Sequence, residues 1–137
     1  MNGSCPAGQN GRSALLKTFA IIYGVIFLAV GIAGFIPTLM PNGLLLGYFN
    51  VDPLHNSIHL VFGIVALWVS VCPKASQIYF RIVGIIYVIL ALLGFWYGEE
   101  PVAGIVSNNP AVAWLHLGVG ILALILGFCT HKKCHTH

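Results

Sequence analysis

Six histidines, four cysteines and three acidic residues carry most of the metal-ligating and acid–base capacity of this 137-residue chain. They concentrate in two places. His55 and His59 lie one helical turn apart just after Asp52, and the pair His59-Leu60 recurs as His116-Leu117. Imidazole is a good ligand for zinc and copper, so His55, His59 and His116, with Asp52 as an outer carboxylate, make a metal-ion set drawn from two elements. His59 and His116 alone suit a second role, axial ligation of a haem or chlorophyll-type tetrapyrrole in a flat gap beside Gly63 and Gly120. A third role is structural: two neutral imidazoles hydrogen-bonded to each other, to Asn56 or to a carbonyl. The other concentration is the C-terminal run Cys129-Thr-His-Lys-Lys-Cys-His-Thr-His137. There Cys134, His135 and His137 could capture copper or zinc, while Lys132 and Lys133 would anchor the same tail to anionic lipid. No Ser-His-Asp set, phosphate-binding loop, paired catalytic carboxylates or HExxH pattern accompanies these residues, which points away from an enzyme.

The elements that must position these side chains are apolar. Hydrophobic residues make up 58% of the chain and charged residues 7%, against about 25% charged in soluble domains. Such a chain has too little polar surface for water and belongs in a bilayer. Six basic against three acidic residues also leave too few cations for the phosphate contacts of nucleic-acid binding. Four apolar stretches, 14–36, 53–72, 77–97 and 110–129, are 20 to 23 residues long, the length of a helix crossing about 30 Å of hydrocarbon. Asp52-Pro53 and Asn109-Pro110 each place a capping oxygen before a proline at the first helical position, and Pro73 follows the second span.

Arg12, Lys17, Lys74, Arg81, Lys132 and Lys133 all fall on one side of a four-span arrangement, and Asp52, Glu99 and Glu100 on the other. The basic side stays cytoplasmic, so both termini are expected inside, with residues 1–13 and 130–137 as cytoplasmic tails around a membrane domain 14–129. All four cysteines then face a reducing compartment, where structural disulfides do not persist. The loop from Pro37 to Val51 is apolar but too short to cross and is expected at the outer interface, with Tyr48 and Phe49 at headgroup depth.

Spans two and four align at an offset of 57 residues, pairing Asp52-Pro53 with Asn109-Pro110, His59 with His116, Gly63 with Gly120 and Cys72 with Cys129. Spans one and three align at 60, pairing Gly24 with Gly84 and Gly34-Phe35 with Gly94-Phe95. The chain reads as two tandem helical hairpins related by a pseudo-twofold axis along the membrane normal. His59 and His116 then sit at one level, about 9 Å from the outer ends of their helices. Each shares its face with a glycine one turn on, which turns both toward packed helices and away from lipid. The counterpart of His55 is Val112, so the outer histidine set is asymmetric.

The segment Gly47-Tyr-Phe-Asn-Val-Asp-Pro-Leu-His-Asn-Ser-Ile-His-Leu-Val-Phe-Gly63, with Trp114-Leu-His-Leu-Gly-Val-Gly120, resembles a family of small bacterial four-span membrane proteins catalogued as a domain of unknown function. The resemblance runs from about Ala14 to Cys129. Its most specific part is His-Asn-x-x-His-Leu at His55, Asn56, His59 and Leu60. It implies an all-α four-helix transmembrane bundle in a bacterial inner membrane and carries no activity. The small size and short loops lead to the expectation of a non-enzymatic accessory or scaffold subunit of a membrane complex, with the lipid bilayer and other membrane subunits as partners. A redox or metal-handling protein using the histidines is the alternative.

Overall fold

The computed structural model describes residues 7–129, which are all-α. Helix α1 runs Ala7–Ala33, α2 Pro53–Val69, α3 Pro73–Tyr97 and α4 Pro110–Leu124, with a final π-helical segment over Ile125–Cys129. Among the described residues there is no strand, only two isolated β-bridges in the loops. Asp52 and Asn109 cap α2 and α4 as their sequence positions predict, each accepting a backbone N–H three residues on, from His55 at 2.7 Å and Val112 at 3.0 Å. Three helices are long and apolar enough to cross a membrane, over Gly11–Ala33, Pro73–Tyr97 and Pro110–Phe128.

Helix α2 is shorter than its apolar stretch. It has 17 residues, about 26 Å of rise, and stops at Val69 instead of Cys72. The Ser70 hydroxyl donates to the Leu67 carbonyl at 2.6 Å, and Cys72 is extended (φ −130°, ψ 119°), the conformation a residue before proline is pushed into. Pro73 therefore opens α3, four residues ahead of the expected Gln77, because proline at a helix's first turn lacks only an N–H that would have no partner anyway. Helix α1 likewise ends three residues early and starts inside the expected N-terminal tail.

Within each hairpin the helices approach at glycines, and the approach is repeated almost residue for residue. A Cβ on Gly24 would strike the Leu67 side chain at 2.6 Å, and one on Gly84 the Leu124 side chain at 2.7 Å. At Gly63 it would lie 3.0 Å from the Gly24 oxygen and Leu28 nitrogen; at Gly120, 2.8 Å from the Val88 nitrogen and 3.2 Å from the Gly84 oxygen. Small residues of this kind let helices touch backbone to backbone, the usual source of association in lipid.

Between hairpins the contacts are aromatic and polar. Tyr23 donates its hydroxyl hydrogen to the Val119 carbonyl at 2.8 Å, and Tyr79 to the Phe62 carbonyl at 2.9 Å. The two acceptors are equivalent positions of the repeat, three residues after His116 and His59. Phe80, Val83 and Tyr87 of α3 fill the centre against Tyr23 and Phe27 of α1. Outside this core, isoleucine and leucine side chains face outward along α1, α3 and α4, and Trp68, Trp96 and Trp114 project near helix ends, as an aromatic belt at membrane interfaces requires.

Candidate metal centre

His55, His59 and His116 converge. Their ligand atoms all lie within 4.8 Å of one another, and all three residues are buried. Ring centroids are 4.6 Å apart for His55 and His59, 5.3 Å for His55 and His116, and 6.2 Å for His59 and His116. The expected common level and inward orientation of His59 and His116 are both present. What is missing is the expected hydrogen-bonded pair: His55 Nδ1, His59 Nδ1 and His116 Nε2 are buried with no hydrogen-bond partner, as is Asn56 Oδ1. Each such atom costs about 1–3 kcal/mol unless something occupies it.

The cluster has a floor and a roof. Phe27 and Tyr87 stack beneath it, Phe27 against His59 at 5.6 Å and Tyr87 edge-on to His116 at 5.0 Å. Above it, two loops repeat the same turn at the offset of 57 that relates the helices. Leu45 pairs with Phe49 in one loop and Val102 with Val106 in the other. Left-handed backbone occurs at Leu46 (φ 53°) and Gly47 (φ 82°), then again at Ala103 (φ 54°) and Gly104 (φ 71°). Glycine accepts that conformation readily, and Gly47 and Gly104 sharing one register is the signal that reveals the repeated loop. Asn109 donates to the Tyr48 carbonyl at 2.8 Å and Asn50 to the Asn108 carbonyl at 3.1 Å, fastening the loops together. Asn108 also donates to the Gly94 and Gly98 carbonyls at 2.9 and 2.7 Å, closing the end of α3.

Two small cavities, each about 50 Å³, flank the histidines. All three rings line both. One is completed by Val30, Leu45, Phe49 and Leu115, the other by Leu90, Val102, Val106 and Ile58, which are repeat-related positions. Each is large enough for an ion or a few waters. A tetrapyrrole needs roughly 300 Å³ or more, and Gly63 and Gly120, which were expected to open a flat gap, are filled by the neighbouring helix backbones. The donor set therefore fits a metal ion and not a macrocycle. A tetrahedral ion at 2.0–2.1 Å would hold its nitrogens about 3.4 Å apart, so ligand atoms now within 4.8 Å of one another would close by up to roughly 1.4 Å around it.

Asp52 is not brought into the cluster. Its Oδ1 accepts the His55 N–H and its Oδ2 the Ser107 N–H, each at 2.7 Å, so its carboxylate joins the start of α2 to the second loop. Partial burial acts to raise its pKa, but the N–H groups of His55 and Ser107, the Ser107 side chain and the nearby His55 charge together hold it below the ordinary value. Nor does His55 stand at an open mouth: the loops cover it. Leu45 and Phe49 turn inward to this cover, and of the expected interfacial pair only Tyr48 is exposed. The tail candidates Cys134, His135 and His137 lie outside the described residues. Arg81, placed on the basic side by the sequence, has a second role that its position did not reveal: its Nε donates to the Gly127 carbonyl at 2.7 Å with the guanidinium 4.9 Å over the Phe128 ring. That contact serves a carbonyl in the π-helical segment.

The profile of the family described as Domain of unknown function (DUF4383) matches residues 17–129. That stretch contains all three histidines, both loops and all four helices except the first residues of α1. No curated protein and no solved structure matches the chain.

Proposed function

The chain belongs to this family of unassigned function, and from that premise we propose that it is a small multi-pass membrane protein, in a bacterial inner membrane, that binds one transition-metal ion through His55, His59 and His116. Two observations carry the proposal: the three buried histidines bring one ligand nitrogen each within 4.8 Å of the others beside cavities of ion size, and each ring keeps one buried nitrogen without a hydrogen-bond partner. Three imidazoles are a recurrent metal set, and one ion can take a nitrogen from each of three converging rings. In the orientation given by the basic side chains, the site lies in the outer half of the bilayer with both termini inside.

Elemental analysis of the purified chain, in detergent and without added metal, tests this. One equivalent of a transition metal is expected, retained when the tail ligands Cys134, His135 and His137 are replaced and lost in His59→Ala and His116→Ala. Metal that follows the tail, or none in any variant after dialysis against zinc or copper, contradicts it.

A second reading, an accessory or scaffold subunit of a membrane complex, draws on a different feature. A groove of about 370 Å³ between α1 and α4, lined by Phe19, Ile22, Ile26 and Gly118, is of a size to receive side chains from a neighbouring helix. Cross-linking from Gly118→Cys in native membranes would capture a partner under that reading and lipid alone otherwise.

A further inference from the structure

The surroundings of the three histidines restrict which ion they take; this inference rests on the metal-binding reading above. We propose that the site is three-coordinate and selects monovalent copper, Cu(I), over divalent ions.

The first observation is the empty counterpart of His55. The repeat that pairs His59 with His116 pairs His55 with Val112, which is 2% exposed and lines the same cavity as the three rings. Where a fully symmetric site would carry a fourth imidazole, this one presents an isopropyl group. Zinc completes four ligands in structural sites, and three plus water in catalytic ones. Three imidazoles with an apolar fourth corner leave zinc dependent on a water that Val112 cannot hold, whereas Cu(I) is content with three.

The second observation is that a single carboxylate, which is not a ligand, is the one anion near the three rings among the described residues. The nearest carboxylate, Asp52, has both oxygens engaged with N–H groups, and Cys72, the free cysteine described, is exposed at the other end of α2. The remaining lining is aliphatic on one side, with Val30, Leu45, Val51 and Leu115, and carries the neutral Ser107 and Asn108 on the other. Neutral imidazoles contribute no charge, so Asp52 can offset at most one unit of the ion's charge and any second unit is buried without a counter-charge. The solvation penalty grows with the square of the charge, making a divalent ion about four times as costly as a monovalent one of equal radius. A three-histidine site with one non-ligating carboxylate nearby therefore matches a singly charged ion better than a doubly charged one.

The two features predict a specific response to restoring the symmetry. Val112→His supplies the missing ligand and should convert the site to one that also accepts zinc.

The test uses the full chain in detergent, with Cys5→Ser, Cys72→Ser, Cys129→Ser, Cys134→Ser, His135→Ala and His137→Ala introduced so that tail ligands do not compete. Anaerobic competition against chromophoric chelators measures Cu(I) and Zn(II) affinity separately, and circular dichroism checks that each variant is folded. One equivalent of Cu(I) bound at least 100-fold more tightly than Zn(II) is expected, with a loss of at least tenfold in each of His55→Ala, His59→Ala and His116→Ala. Val112→His should raise Zn(II) affinity at least tenfold, and the size control Val112→Ile should not. If Zn(II) binds as tightly as Cu(I) and depends on the same histidines, the selectivity is wrong and the metal site stands. If no ion responds to the histidine substitutions, both are overturned.

Discussion

Phe27 and Tyr87 stand sixty residues apart in the chain and stack ring on ring, with centroids 5.5 Å apart and planes 15° from parallel. They are equivalent positions of the two hairpins, so their contact straddles the pseudo-twofold axis; Phe27 also packs against His59, and Tyr87 against both His116 and His59. The floor of the site and the seam of the bundle are thus the same pair of rings. Truncating either one should cost about 3 kcal/mol or more in stability and weaken metal binding as well. Tyr87→Phe, which keeps the stack, should leave both close to those of the unmodified chain. Unfolding in mixed detergent micelles with metal titration on the same samples measures the two effects together.

The glycine approaches within each hairpin predict a sharp positional contrast. Gly63→Ala and Gly120→Ala drive a methyl group into neighbouring backbone, where relief requires the helices to separate, and should each destabilise by about 1–3 kcal/mol. Gly118→Ala, two residues from Gly120 but with nothing within 4 Å of its added carbon, should be neutral or slightly stabilising. Thermal unfolding followed by circular dichroism distinguishes them.

Asp52 predicts a pH dependence confined to acid. Its folded-state pKa lies below the unfolded value, so the stabilisation it gives is fully present above the ordinary carboxylate pKa of about 3.9 and is lost as pH falls through the lower, folded value. Asp52→Ala should cost about 1 kcal/mol at neutral pH and flatten the acid limb of the stability curve. Asp52→Asn should keep part of the cap, as Asn109 does in the second repeat, and lose the bond from Ser107. Unfolding midpoints between pH 3 and 7 for the three chains check the sign.

Cys72 is exposed in the turn between α2 and α3, on the side that carries Lys74. With both termini inside, a membrane-impermeant thiol reagent added to intact cells should leave Cys72 unmodified in a chain whose other cysteines are serine, and should modify it in inverted vesicles. A cysteine placed at Tyr48 should show the reverse. Labelling of Cys72 from outside contradicts the orientation.

Much of this molecule is legible in its sequence, for identifiable reasons. Proline after Asp52 and Asn109 marks helix starts because the requirements of a first turn are local. The matched histidines and glycines reveal the repeat because helix periodicity carries register into three dimensions. His55 was placeable one turn above His59 for the same reason. Two things were not legible. The end of α2 depends on whether Pro73 stops one helix or starts the next, which the turn at Ser70 decides. The roof depends on a loop whose Phe49 looks, beside Tyr48, like an interfacial anchor until Asn50, Asn108 and Asn109 are seen to tie the loops across the histidines. The role of Asp52 was ambiguous in the same way: a carboxylate three residues before a histidine suits a ligand or a cap, and only the Ser107 N–H on its second oxygen makes it a fastener between repeats.

The central claim is that His55, His59 and His116 meet on one ion inside the bundle. X-ray absorption at the metal edge of the loaded full-length chain reads this most directly. A shell of three imidazole nitrogens with their characteristic outer-ring scattering is expected, unchanged when the tail cysteines are replaced and broken by His116→Ala. A shell containing sulfur, or one dominated by oxygen and indifferent to His116, would contradict it.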